Sequence, residues 1–130
     1  VLDFSINNID SATSFFYIDD DARDHEITKE QAIIKIAQGK YTVKLNGLES
    51  IYSNYKTVHA FFSPANSVSF PEHMDFEDLK ILCVSGNKGF EVGGVRYNLL
   101  PGESCSVPKG INHRAINELD SIILSIEVDK

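Results

Sequence analysis

Between Gly102 and Asn117 the chain sets Gly102, Pro108, Gly110, His113 and Asn117 at offsets that suit a strand, a tight turn and a second strand. Gly102 can take the positive φ needed at a hairpin end. Pro108 stops ladder pairing and pre-sets φ for a turn that Gly110 completes. Ahead of the turn, Cys105 and Val107 alternate with Ser104 and Ser106, the period of a half-buried strand. His113 then opens the next strand, where its imidazole faces either an enclosed interior or water. Asn117 suits the loop that follows.

The rest of the chain reads in the same way. Gly86 closes one strand, and Gly93-Gly94 turns between Phe90-Glu91-Val92 and Val95-Arg96-Tyr97. Alternation predicts further strands at Tyr41 to Leu45, Tyr55 to Phe62 and Ser121 to Val128. Asn46-Gly47 has the composition of a two-residue hairpin turn leading into Leu48 to Tyr52, and Val68 to Phe70 is expected to be extended. Thr28-Lys29-Glu30-Gln31 fits a capping box for one short helix, which Gly39 can terminate. Asp19, Asp20, Asp21, Asp24 and Glu26 lack the central Gly and spacing of an EF-hand and read as a solvated loop.

At 130 residues and 42% hydrophobic content the chain can build a single core. A net charge of -7 with scattered Lys and Arg excludes the basic patch that nucleic acid requires, and no apolar stretch approaches a membrane span. Cys83 and Cys105 fall in phase with apolar neighbours and read as small core residues in a reducing compartment, a disulfide being the minor alternative. The residues from Val1 do not form a signal peptide, so a cytoplasmic address is expected.

The spacing G(X)5PXG(X)2H(X)3N, met here by Gly102, Pro108, Gly110, His113 and Asn117, resembles the second motif of the cupin superfamily. The hairpin around Gly93-Gly94 is similar to the segment between that family's two motifs. The resemblance implies an all-β fold, a cupin-type double-stranded β-helix or jelly-roll barrel with one short N-terminal helix. It also implies that residues 55–130 form the barrel core, while residues 1–54 form an arm of helix and hairpin packed on it. Cupins commonly pair through edge strands, so a homodimer is expected.

The family's first motif, G(X)5HXH(X)3-4E(X)6G, is altered here. Counting back from Gly86, Leu79 stands at the Glu position, His73-Met74-Asp75 at the HXH, and Ser67 at the first Gly. The implied metal ligands are therefore His73, Asp75 and His113. Residues two apart on a strand share a face, so His73 and Asp75 can converge while Met74 points away. Two His and one carboxylate make a facial triad suited to Fe(II), with Zn, Mn or Ni also accommodated. A strand bulge could bring Glu77 into the set. His59 reads as a wall residue, with a metal role as the minor alternative.

Three functions are compatible with these residues. The first is a small-molecule-binding barrel whose ligand meets His73, Asp75, Leu79 and His113, with or without a divalent metal. The second is a metal-dependent oxygenase or isomerase, and the third a structural dimer with a vestigial pocket. Leu79 replaces a charged ligand with apolar wall, which favours the first. No nucleophile elbow or phosphate loop offers another chemistry.

Overall fold

Runs of alternating aromatic and β-branched residues, broken by Gly, Pro and Asn, produce ten strands in a computed structural model that describes residues 4–128. The strands are β1 (Ser14–Ile18), β2 (Asp24–Ile27), β3 (Thr42–Asn46), β4 (Thr57–Ser63), β5 (Leu79–Gly86), β6 (Lys88–Val92), β7 (Val95–Leu99), β8 (Ser104–Val107), β9 (His113–Ile116) and β10 (Ser121–Glu127). Helix α1 covers Lys29–Gln38. A seven-stranded sheet in the order β2-β1-β3-β4-β10-β5-β8 lies against a three-stranded sheet in the order β7-β6-β9, and all pairs are antiparallel. This is the all-β jelly roll expected from the motif spacing.

The large sheet is covered on both faces, because its strands carry apolar side chains in both phases. Val43, Leu45, Val58, Ala60, Leu124 and Ile126 point outward and bury against Phe4, Ile9 and Ala32 of the N-terminal segments. Ile81, Cys83, Cys105, Val107 and Ile123 point inward and pack with Phe90, Val92 and Leu99 of the small sheet. Helix α1 thus seals the outer wall of the barrel. Thr28 accepts from the Gln31 N–H while the Gln31 side chain returns to the Thr28 N–H, and Gly39 ends the helix at φ 65°.

Two local expectations are overturned and one is refined. The acidic stretch is solvated as expected, and its turn joins β1 to β2 as a hairpin, since Asp19 Oδ1 accepts from the N–H groups of Asp21 and Arg23. Gly47, at φ 83°, leads into a 3₁₀ turn over Leu48–Ser50 and not into a second strand. There the Glu49 carboxylate accepts from the Val58 N–H, which holds the turn against β4. Val68 to Phe70 is irregular chain, tied by the Ser69 hydroxyl to Asn117 and not by a ladder. Both cysteines are buried and free. Cys105 pairs across the sheet with Ile81 and not with Cys83, and burial pushes its thiol up to about 11.

Gly86 is the joint that lets β5 leave the large sheet and β6 enter the small one. Its φ is +78°, and a Cβ there would fall on the carbonyl of Asp120. Gly86→Ala is therefore expected to destabilise the fold by about 3 kcal/mol, seen as a lower urea midpoint with an unchanged m-value.

Candidate metal centre

The turn predicted at Pro108 to Gly110 does more than reverse the chain. Its N–H groups fasten the segment before β5: Gly110 donates to the Asp75 carbonyl at 2.8 Å and Lys109 to Asp78 Oδ1 at 2.9 Å. Beyond the turn, His113 and His73 form an antiparallel bridge, each N–H donating to the other's carbonyl at 2.8 and 3.0 Å. Two imidazoles and one carboxylate, far apart in sequence, are thereby brought to one point. One ligand atom from each of His73, Asp75 and His113 lies within 4.8 Å of the other two.

The ring orientations are set by backbone carbonyls. His73 Nδ1 lies 2.8 Å from the Pro71 oxygen and His113 Nδ1 lies 3.2 Å from that of Ile111. A carbonyl can only accept, so each Nδ1 carries the hydrogen of its contact and each Nε2 turns inward toward Asp75. Asp75 Oδ2 sits 3.1 Å from His113 Nε2 and 3.8 Å from His73 Nε2. Two ring nitrogens and a carboxylate oxygen thus converge, a donor set of the kind that holds a divalent cation. Phe90 stacks on the His113 ring with centroids 5.8 Å apart, and the His113 side chain is only 5% exposed. His73 is the open member, 45% exposed at the mouth.

The centre lies on the wall of a cavity of about 470 Å3 between the two sheets, within the range of small-molecule sites. Leu79 lines this cavity but belongs to the opposite wall, paired on β5 with Glu127 and Val107. Glu77 and His59 also face the cavity and stand outside the converging group. Burial, followed by the charge of Lys44, pushes the His59 imidazole down from its ordinary value. Glu127 is held by Thr57 Oγ1 at 3.0 Å and by Lys56 Nζ at 3.3 Å.

One functional group escaped the sequence reading. Lys88 is 1% exposed and lines the cavity from β6, its ammonium donating to Asn117 Oδ1 at 2.5 Å and Ser63 Oγ at 3.4 Å. Both partners are neutral, and among the described residues no carboxylate pairs with it. Desolvation accordingly lowers its pKa to about 8. Asn117, expected to serve a loop, is a buried strut whose amide donates to Ser69 Oγ at 2.6 Å and to the Ser67 carbonyl at 3.1 Å. The signal for Lys88 was its phase, since it alternates with Phe90 and Val92 on the inward side of β6.

An antiparallel barrel of this topology is a cupin-type jelly roll. The protein has the cupin superfamily fold. No protein-family model and no curated protein matches the sequence. Among solved structures it is similar to an RmlC-like cupin from Shewanella frigidimarina (15% identity over 68% of this chain and 78% of that one, TM-score 0.55). It is similar to a conserved protein of unknown function from Streptococcus pyogenes at 15% identity, over 68% of this chain and 75% of that one, with a TM-score of 0.57. A longer match is YcfD, a ribosomal oxygenase from Escherichia coli in complex with cobalt and succinic acid, at 14% identity and TM-score 0.68. That match covers 92% of this chain but 40% of the oxygenase. No helix among the described residues is long and apolar enough to cross a membrane.

Proposed function

We propose that the protein is a metal-dependent cupin oxygenase that binds a divalent cation, with iron preferred, through His73, Asp75 and His113, and a 2-oxo dicarboxylate against Lys88. The single observation that carries this reading is the pairing of a converging His-Asp-His group with a buried, uncompensated cation in one cavity. It ranks the enzyme above the metal-free binding protein that Leu79 favours on sequence, because an apolar wall alone does not account for two imidazoles turned onto one carboxylate. The oxygenase YcfD also occurs in complex with cobalt and 2-oxoglutarate, a dicarboxylate of the kind a lysine at this depth would anchor.

Iron in the triad would supply the oxygen chemistry, and the chain supplies the setting. Pro71 and Ile111 fix the two rings, the Gly110 N–H steadies the Asp75 main chain, and Phe90 shields His113 from water. Lys88 holds the distal carboxylate of the 2-oxo acid, with Asn117 and Ser63 directing its protons. In the overall balance, one atom of O2 enters the substrate as a hydroxyl. The other enters the carboxylic acid that remains when the 2-oxo acid loses CO2. All of these groups come from one chain, so the reading needs no second copy.

Slow oxidation of 2-oxoglutarate to succinate without added substrate is the expected result when purified protein is given Fe(II), air and ascorbate, which reduces the second oxygen atom to water. Succinate formation measured by mass should require Fe(II) and air and should disappear in His113→Ala. No stoichiometric uptake of Fe(II), Mn(II), Zn(II) or Ni(II) by the wild-type chain would sink the reading.

A further inference from the structure

Lys44 is a second lysine in the same cavity, with no role in the site described so far. It sits on β3 between Val43 and Leu45, which point to the outer core, and so projects inward with its cross-strand partner Phe61. Its Nζ lies 5.9, 5.9 and 5.8 Å from the ring centroids of Phe16, Phe61 and Phe70. These distances are at the outer limit of useful cation–π attraction, so the rings enclose the ammonium without satisfying it. Among the described residues no carboxylate lies within ion-pair distance of it. The carboxylates that attract it are Asp24 and Asp75, neither within ion-pair distance. Glu127 and Glu77, the other acids on the cavity wall, reach toward Lys56.

We propose that Lys44 anchors the primary substrate, an apolar monocarboxylate whose anionic group meets the Lys44 ammonium and whose hydrocarbon body lies among Phe16, Phe61 and Phe70. This rests on the metal and co-substrate reading for its charge account. A divalent ion with Asp75 leaves one positive charge, Lys88 adds another, and a 2-oxo dicarboxylate cancels both. Glu77 and Glu127 stand at Lys56, so none of these anions meets the Lys44 ammonium, which stays in a half-buried apolar setting where a bound carboxylate would pair with it directly. The carboxylate is specified by the ammonium and the rest of the molecule by three phenyl rings, so a polyol, a sugar phosphate or a cationic peptide does not match.

The probe is 3-phenylpropionate against its neutral isostere 3-phenylpropionamide, titrated calorimetrically into wild-type protein saturated with Mn(II) and 2-oxoglutarate. The acid is expected to bind about tenfold or more tighter than the amide, the size of effect given by a charge-assisted hydrogen bond in a sheltered site. Lys44→Gln should erase the preference and Lys44→Arg should retain it, while Mn(II) and 2-oxoglutarate affinities stay as in wild type for both. Equal binding of acid and amide by the wild type overturns the proposal whatever the variants do, and so does an undiminished preference in Lys44→Gln. If the wild type takes up neither Mn(II) nor 2-oxoglutarate, the preceding reading falls on its own. The same titration on metal-free protein then decides Lys44 separately.

Discussion

Replacing His113 with alanine should leave a folded barrel that no longer holds a divalent cation. Removing an outer hydrogen-bond partner of a metal ligand typically costs ten- to a hundredfold in affinity, so losing the ligand itself should cost more than about a hundredfold. Metal content after dialysis should fall from one ion per chain to background, and the thermal stabilisation by Mn(II) seen for the wild type should vanish. The bridge to His73 uses main-chain atoms only, so circular dichroism of the variant should match the wild type. His113→Gln provides the control, since an amide fills the volume beside Phe90 without restoring an imidazole lone pair. Retention of metal by both variants would place the ion elsewhere and remove the basis of the proposed activity.

Lys88→Met should have two large effects of opposite kind. Affinity for 2-oxoglutarate should drop by about a hundredfold, the expected result of deleting one half of a buried charge pair. Stability of the ligand-free protein should rise, because the wild type carries an uncompensated ammonium in its core. The pH dependence tests the same point. Lys88 has a folded pKa of about 8 against an ordinary lysine value of 10.5, so between these limits the unfolded chain binds more protons. Wild-type stability should therefore climb as pH rises from about 8 toward 10.5, and the full penalty, on the order of 3 kcal/mol, should apply below that window. The methionine variant should lack this climb. Unchanged 2-oxoglutarate binding in Lys88→Met would end the co-substrate assignment.

What could be read from the sequence was whatever local chemistry determines. The turn from Pro108 to Gly110, the Gly93-Gly94 hairpin and the Thr28 capping box each depend on a few adjacent residues, and each forms as expected. His73, Asp75 and His113 came from motif offsets, and the structure places their ligand atoms together. Lys88 and Lys44 were passed over because a lysine beside Gly and Asn, or between two aliphatic residues, reads as a solvent face. That inference fails where a sheet has two covered sides. Val43 and Leu45 supply the outer core, which leaves Lys44 facing the interior and not water. The Asn46-Gly47 signal failed for a tertiary reason: Leu48 is fully buried in the outer core, and Glu49 is engaged by the Val58 N–H.

The reciprocal main-chain bridge between His73 and His113 bears on how the protein would withstand loss of a bound ion. Small metallo-domains whose ligands are assembled by the metal unravel under chelation. Here the anchoring distance between the two imidazole-bearing residues is written in peptide groups. A chelated sample should melt cooperatively, keep its shape and reload at once when the ion returns. Selection could then alter the side chains at these two positions, and with them the element preferred, while the scaffold stays untouched.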